Sequence, residues 1–396
     1  MRREATASVY LGDRRVGTLG YRQGSTWFDY EDLSPEHPVL GQGFERDPRR
    51  RRTASGSVPE WFAGLLPEPG SGLRELVAAS LGKKRIHDFV LLCHAGKDLP
   101  GAVQVVPDAP LDDVPEHAGR EERRPDHALR FSFAGVQPKF SMRYEGKALV
   151  LPATGDGGDW MVKLPDQRFR EVPANEFAML RWAAQAGIDV PETRLETAGC
   201  LQNIPPGLVN PGDRVLAVRR FDRVGDVRVH QEDFAQVREV ASEAKYDRAS
   251  YEGIGRVIAS LCPEEDVVEY VRRLVAMVVM GNADAHLKNW TLRYPDTRTA
   301  RLSPAYDLVC VTAYPEPDPK LAFPLGGTTR SEAITAESFR SLAAALDLSA
   351  QTVVSTVRET AQKLASSWPA VRRGTPVPEF VATAVEERLR SLPLMR

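Results

Sequence analysis

Cysteine is scarce in this sequence, and its scarcity argues against two classes of protein. Only four cysteines, Cys93, Cys200, Cys262 and Cys310, occur among 396 residues, and no two of them form a Cys-x-x-Cys pair. Such wide spacing argues against a disulfide-stapled secreted domain and against a zinc knuckle. It predicts reduced thiols in a cytoplasmic protein.

A strong net charge and long apolar runs are also absent from the sequence. The formal net charge is −2, so no overall field would draw the chain to nucleic acid or to an anionic membrane. No run approaches the length of a membrane-spanning helix, and residues 1–6 lack the apolar core of a signal peptide. The hydrophobic fraction of 42% and the charged fraction of 27% are typical of a globular protein. We expect a cytoplasmic protein with two or three domains and no membrane contact.

Composition divides the chain into four regions. Residues 1–107 form a predicted N-terminal module, and residues 108–127, rich in proline and charged residues, form the predicted linker. Residues 128–245 alternate short apolar strands with one strong helical pattern. Residues 246–396 are predicted to be mostly helical, so a strand-rich lobe precedes a helix-rich lobe.

Hydrophobic periodicity predicts the main elements of these regions. Two β-like runs predict a hairpin at 8–20. Apolar residues at helical spacing predict a helix at 174–185 and another at 267–278, followed by Gly281. Further helices are predicted at 73–81, 87–94, 335–346, 349–367 and 378–391.

The run Met-Gly-Asn-Ala-Asp-Ala-His-Leu-Lys-Asn at 280–289 carries the strongest functional pattern. It places Asp284 five residues before Asn289, and Asp307 follows later in the chain. Protein kinases use an Asp-x-x-x-x-Asn pattern and a later Asp to orient the attacking hydroxyl and to hold Mg²⁺. The pattern predicts that Asp284 accepts the hydroxyl's proton while Asn289 and Asp307 bind Mg²⁺ beside ATP. Taken singly, each aspartate is also compatible with an ordinary Asx turn.

A lysine inside an apolar run supports the same interpretation. Lys163 interrupts the run Trp-Met-Val-Lys-Leu at 160–164, and Glu176 lies on the helix predicted next. Kinases use a strand lysine, held by a helix glutamate, to grip the α- and β-phosphates of ATP. The alternative is a lysine that extends to solvent from an edge strand.

Three further segments have two readings each. The loop 132–139 has one glycine and is compatible either with a phosphate cradle, to which Lys139 adds charge, or with a hairpin turn. The segment 218–223 is compatible with an adenine-binding backbone beside Phe221, or with an edge strand that exposes arginines. His286 and Lys288 either face the phosphates or are exposed loop side chains.

With these residues in place, the chain resembles the HipA-family serine/threonine kinases, the toxin half of HipBA toxin–antitoxin pairs. The similar segments are 9–11, 62–68, 101–103, 134–139, 220–223, 230–234, 281–289 and 306–307, together with the Lys163 strand. The resemblance implies an α+β, protein-kinase-like two-lobed fold related to the phosphoinositide kinases. Residues 128–245 would be its ATP-binding lobe and 246–396 its helical catalytic lobe, with 1–107 as an extra N-terminal module.

The resemblance also implies a set of ATP contacts and an inhibitory modification. The implied contacts are Ala134, Gly135, Val136, Gln137, Pro138, Lys139, Lys163, Arg219, Arg220, Phe221, His286, Leu287, Lys288, Asn289, Tyr306 and Asp307. Ser132 occupies the position of a serine whose autophosphorylation silences the family's enzymes. One departure is Arg219, which stands where a glutamate often precedes Arg-Phe-Asp-Arg.

The family implies partners as well. The expected substrate is a translation factor such as an aminoacyl-tRNA synthetase, with glutamyl-tRNA synthetase the best-known family target. The expected partner is a HipB-like helix-turn-helix antitoxin, so that DNA is contacted only indirectly. Two alternatives remain open from the residues: a small-molecule or lipid kinase of the same fold, and a non-catalytic protein that binds an antitoxin or DNA.

Overall fold

The computed structural model describes residues 4–32, 34–49, 51–53, 57–68, 74–75, 77–78, 82–83, 86–111, 138–152, 157–166, 168–241, 244–247, 249–315 and 320–396. Ser132 and residues 134–137 lie outside these ranges, as do most of the predicted linker and most of the helix predicted at 73–81. Within the described ranges, no helix combines the length and the apolar character that a membrane span requires.

A five-stranded antiparallel sheet forms the N-terminal module. Its strands are β1 (Glu4–Leu11), β2 (Arg14–Arg22), β3 (Ser25–Tyr30), β4 (Arg51–Thr53) and β5 (Val103–Pro107), in the order β4-β3-β2-β1-β5. β1 and β2 form the predicted hairpin, because buried residues alternate along β1 and Gly12 takes a positive φ at the turn. Three short helices pack beside the sheet: α1 (Gln42–Arg46), α2 (Glu60–Ala63) and α3 (Asp88–His94).

A six-stranded sheet follows, with β8 near its centre. Its strands are β6 (Lys139–Glu145), β7 (Ala148–Val150), β8 (Trp160–Lys163), β9 (Thr193–Thr197), β10 (Leu201–Gln202) and β11 (Arg214–Arg219), in the order β10-β7-β6-β8-β11-β9. Lys163 pairs with Leu216 on one side and with Lys139 on the other. The edge-strand alternative for Lys163 is therefore wrong. Helix α4 (Val172–Gln185) confirms the helix predicted at 174–185.

The helix-rich lobe is built around one buried helix. After the hairpin of β12 (Arg223–Val224) and β13 (Val227–Arg228), the lobe contains β14 (His230–Asp233), α5 (Phe234–Val237), α6 (Tyr251–Leu261), α7 (Glu264–Met280), β15 (Thr291–Tyr294), β16 (Arg301–Leu302), α8 (Ala350–Gly374) and α9 (Glu379–Ser391). Strands β14, β15 and β16 form a small antiparallel sheet. α7 is buried over most of its length, as its periodic apolar residues predict.

All three predicted closing helices are present, but the first of them is shorter than predicted and is a 3₁₀ helix, Ala336–Leu342. A capping box begins it, in which the Ser338 hydroxyl accepts from the Thr335 N–H at 3.1 Å. α8 extends past Pro369 to Gly374, beyond the predicted end. α9 agrees with the prediction to within one residue.

The N-terminal module contacts the helix-rich lobe through a buried glutamate. Glu232 accepts from the Gln42 backbone N–H at 2.9 Å, from Trp61 Nε1–H at 3.1 Å and from the Tyr294 hydroxyl at 2.6 Å. Burial raises the pKa of Glu232 to about 7, although these three donors work in the opposite direction. Two residues of the module thus converge on one carboxylate of β14.

Candidate functional site

Lys163 lies between two carboxylates at the end of β8. Its ammonium donates to Glu176 Oε1 at 2.7 Å and also to Asp307 Oδ1. Burial would lower the pKa of Lys163, but Asp307 and Glu176 outweigh burial and raise the pKa above its usual range. The lysine is therefore charged and fixed, with Glu176 only 1% exposed behind it.

Asp307 joins this lysine to the 281–289 loop. Its backbone has a φ of 53°, a left-handed conformation that aspartate tolerates better than most residues. The amide of Asn289 donates to Asp307 Oδ2 at 3.2 Å. Burial would raise the pKa of Asp307, but Lys163 and Lys139 outweigh burial and lower the pKa to about 2. Asp307 is therefore a carboxylate at neutral pH.

The loop that carries Asp284 begins where α7 ends. Gly281 takes a φ of 72°, and Asn282 N–H returns to the Met277 carbonyl at 2.9 Å, which closes the helix. A Cβ at Gly281 would lie 2.1 Å from Thr312 Oγ1, so the space there admits only glycine. Glycine is therefore favoured at this position of the motif both by the positive φ and by the lack of space for a Cβ.

Asn282 ties the two aspartate segments together. Its side-chain amide donates to the Asp307 carbonyl at 3.2 Å, and its side-chain oxygen accepts from the Asp284 N–H at 3.3 Å. Both Asn282 and Asp284 are buried, at 2% and 8% exposure. No role was predicted for Asn282, although its place beside Gly281 in the motif was the available signal.

The remaining loop residues lie close to the site in different ways. His286 is fully buried, and its ring stacks edge-on against Tyr246 at 5.2 Å. Burial lowers the pKa of His286 well below its usual range, and the Lys245 charge lowers it further, so the imidazole is neutral. Lys288 Nζ donates to the Gly64 carbonyl at 3.4 Å and lies 3.9 Å from Asp233. Neither side chain is an exposed loop residue.

The predicted adenine-binding segment is only partly directed toward the cleft. The Phe221 ring lies 5.7 Å from the ring of Tyr306, which belongs to the Asp307 segment. The guanidinium of Arg220 instead forms buried ion pairs with Asp222 at 2.9 Å and with Asp98 at 2.8 Å. The Arg220 side chain is therefore held in these ion pairs, and the contact of Arg220 with ATP stays a prediction.

In two other residues that were predicted to contact ATP, the backbone N–H already donates to a carbonyl elsewhere in the chain. Arg219 N–H donates to the Glu192 carbonyl at 2.8 Å, and the Arg219 side chain lies over Trp160. Leu287 is fully buried in the core, and its N–H donates to the Lys245 carbonyl at 3.3 Å. Neither geometry assigns these two residues a contact with nucleotide.

The cleft brings six of the predicted site residues together with Asn282. It is lined by Lys139, Lys163, Glu176, Asn282, Asp284, Asn289 and Asp307, with Val172, Val309 and Val311 as an apolar side. A residue that the sequence analysis missed, Tyr246, donates to Asp284 Oδ1 from outside this set. No local pattern indicated this contact, because the two residues are 38 positions apart.

The donor set of the cleft fits ATP and Mg²⁺. Two lysines, Lys139 and Lys163, are cross-strand neighbours and would balance phosphate charge. The Asn289 amide and the Asp307 carboxylate supply the oxygen ligands that Mg²⁺ prefers. In the described part of the chain, no three His, Cys, Asp or Glu side chains are grouped as a metal site, so such an ion would also need phosphate and water oxygens.

Comparison with protein families matches both halves of the chain. The family described as HipA-like C-terminal domain matches residues 131–368, and the HipA N-terminal domain matches residues 7–106. The chain is 42% identical over 346 residues to "Putative kinase Y4dM" of Sinorhizobium fredii, which covers 86% of this chain and 83% of that protein. It is 25% identical over 412 residues to "Serine/threonine-protein kinase toxin HipA" of Shewanella oneidensis, with 91% and 87% covered.

A solved structure supports the fold. The chain matches a chain of the Shewanella oneidensis MR-1 toxin–antitoxin complex of HipA, HipB and operator DNA, with a TM-score of 0.72 and 22% identity. The match covers 98% of this chain and 96% of that chain. The predicted α+β, protein-kinase-like two-lobed fold is confirmed.

Proposed function

This chain belongs to the HipA family, and from that membership and the geometry of the cleft we propose that it is a Mg²⁺- and ATP-dependent serine/threonine protein kinase. The observation that carries the proposal is the position of Lys163, held jointly by Glu176 and Asp307. Asn289 contacts the same Asp307 from the 281–289 loop. A charged lysine beside an amide and a carboxylate suits the phosphates of a nucleotide.

Lys163 binds the α- and β-phosphates in the proposed mechanism. Glu176 is buried and accepts from the lysine ammonium at 2.7 Å. It therefore holds the ammonium in place through a contact for which solvent does not compete. The cross-strand neighbour Lys139 adds a second positive charge at the same end of the sheet. Positioning and charge compensation of this kind supply most of the catalysis in phosphoryl transfer.

Asp284 accepts the proton of the substrate hydroxyl. As that O–H bond breaks, the hydroxyl oxygen bonds to the γ-phosphorus, and the bond to the β–γ bridging oxygen breaks so that ADP leaves with the electron pair. Asn289 and Asp307 hold Mg²⁺, which when bound compensates the negative charge of the phosphates. The Asn282 side chain keeps the Asp284 and Asp307 segments in register.

The substrate and partner are proposed from the family. We propose a translation factor such as an aminoacyl-tRNA synthetase as substrate, and autophosphorylation at Ser132, which lies outside the described residues. A HipB-like antitoxin is the proposed partner, supported by the complex of the structurally similar HipA with HipB and operator DNA. DNA would then be contacted only through the antitoxin.

Intact-mass spectrometry after incubation with Mg²⁺ and ATP tests the kinase proposal. We expect the wild type to gain about 80 Da per phosphate and Asp284→Asn to gain none, because the amide cannot accept the proton. Asp226→Asn is the matched control, since it removes the same charge on an exposed hairpin turn. A wild type that gains no phosphate, on itself or on proteins of a cell lysate, would contradict the proposal.

Labelled ATP separates this function from the alternative enzyme. A lysate from which small molecules have been removed should still yield labelled protein if the acceptor is a protein. Label that appears only in metabolites or lipids would favour the small-molecule or lipid kinase of the same fold.

A further inference from the structure

Tyr246 reaches the proposed catalytic carboxylate from a distant part of the chain. Its hydroxyl donates to Asp284 Oδ1, across 38 positions of sequence. Asp284 is 8% exposed, so water contributes little to the orientation of its carboxylate. A tyrosine donor at this position is therefore a strong constraint on the direction of the Asp284 side chain.

The Tyr246 ring is itself held by the catalytic loop. It stacks edge-on against the buried His286, with ring centroids 5.2 Å apart and planes at 79°. The preceding residue contributes a backbone contact, because the Lys245 carbonyl accepts from Leu287 N–H at 3.3 Å. The described segment 244–247 is thus packed directly against the loop that carries Asp284.

The N-terminal module anchors the same segment from the other side. Lys245 Nζ lies 3.0 Å from Glu68 Oε1, and the lysine side chain is only 6% exposed. An ion pair with this little solvent contact is screened less than a surface pair. Glu68 therefore links the module to the segment that presents Tyr246.

We propose that Tyr246 is a positioning residue for Asp284, whose hydroxyl holds the carboxylate in the orientation that accepts the substrate proton. Tyr246 keeps its own proton throughout, and the transferred proton goes to Asp284. The Glu68–Lys245 pair supports this arrangement from the N-terminal module. The inference rests on the proposed kinase function, because it gives Tyr246 a role only in phosphoryl transfer.

Tyr246→Phe removes the hydroxyl and keeps the ring that stacks on His286. We expect kcat to fall about 10- to 100-fold, the range set by loss of one hydrogen bond to a charged group. The KM for ATP should stay within about twofold, because Tyr246 acts on Asp284, whereas the proposed nucleotide and metal ligands are Lys163, Asn289 and Asp307. The acidic limb of the pH–kcat profile should move to higher pH, since a donor favours the charged carboxylate.

Tyr270→Phe is the matched control. It removes a hydroxyl that donates to the Tyr251 carbonyl at 2.8 Å in the same lobe, from a tyrosine that is fully buried where Tyr246 is partly buried. Its kcat and pH profile should match those of the wild type.

A second pair of variants separates positioning from stability. Tyr246→Gln and Tyr246→Met both lose the ring and have similar length, but only glutamine keeps a donor. A higher kcat for the glutamine variant, at equal melting temperature, supports the proposal even if both variants are destabilised. Equal kcat values for the two would overturn it.

The outcomes distinguish this inference from the kinase function. A wild type that transfers no phosphate overturns both. An active wild type with wild-type kcat and pH profile in Tyr246→Phe overturns the role of Tyr246 alone. A fall in kcat that Tyr270→Phe reproduces would also overturn it, because the loss would then be a general effect of a missing buried hydroxyl.

Discussion

Replacing Lys163 by methionine should destabilise the folded protein as well as disable the cleft. In the structure the lysine ammonium separates two carboxylates, Glu176 and Asp307, and donates to both. Methionine keeps the length and apolar stem of lysine but removes the charge. The two acidic groups are then left facing each other in a site with little solvent, an arrangement that costs free energy.

The size of the expected destabilisation follows from the lowered pKa of the Asp307 carboxyl. Its ordinary pKa of 3.8 is lowered to about 2 because Lys163 and Lys139 outweigh the effect of burial. A lowered carboxyl pKa stabilises the folded state above the unfolded pKa, and this stabilisation is lost as the pH falls through about 2. The difference is worth about 2 kcal/mol at pH 7 and about half of that at pH 3. Since Lys163 is the larger of the two influences, its loss should remove most of this free energy.

Urea unfolding of the wild type and Lys163→Met at pH 7 and at pH 3 measures the effect. We expect the free energy of unfolding to differ by about 2 kcal/mol at pH 7, and by less at pH 3. Lys363→Met, on the exposed face of α8, is the matched control and should differ by less than about 0.5 kcal/mol. A Lys163→Met protein as stable as the Lys363→Met protein at pH 7 would refute the reasoning.

Two further predictions concern Glu232 and Gly281. Burial raises the pKa of Glu232 in the folded protein from 4.5 to about 7. The stabilisation that this carboxyl gives the folded state is therefore fully present below about pH 4.5 and is lost as the pH rises through 7. The free energy of unfolding of Glu232→Gln, measured in urea relative to that of the wild type, should therefore increase from pH 5 to pH 8. A difference that does not change with pH would contradict a buried Glu232 carboxyl with a raised pKa. Gly281→Ala should lower the melting temperature and the free energy of unfolding by about 1–3 kcal/mol, because its φ is 72° and the new Cβ would meet Thr312. Gly374→Ala, with no neighbour near its Cβ, is the control, and an equal loss in the two variants would contradict the steric argument.

The central part of the site could be predicted from the sequence because it depends on short spacings. The five-residue interval from Asp284 to Asn289 lies within one loop, so sequence distance limits spatial distance. Lys163 was recognisable because a charged residue in an apolar strand needs a partner, and Glu176 is indeed that partner at 2.7 Å. The roles of these residues in catalysis stay predictions.

Other features depended on tertiary contacts that no local pattern encodes. The Arg220 guanidinium is bound by Asp98 of the N-terminal module, 122 positions away, and nothing in the segment 218–223 indicated that contact. Tyr246 meets Asp284 only because the segment 244–247 folds back on the 281–289 loop. The helix predicted at 335–346 forms over Ala336–Leu342 as a 3₁₀ helix, a type that apolar spacing does not distinguish from an α-helix over so short a stretch.

The contact of the N-terminal module with Lys245 and Lys288 limits how the two halves can be exchanged between relatives. Glu68 and the Gly64 carbonyl meet these two lysines, one beside Tyr246 and the other inside the 281–289 loop. A chimera that takes the first hundred residues from a different homologue would alter the surroundings of the proposed active site without changing any residue of the HipA-like C-terminal domain. Shuffled pairs should therefore differ in turnover even when both parents are active, and compatible pairs should be those that keep an acid opposite Lys245.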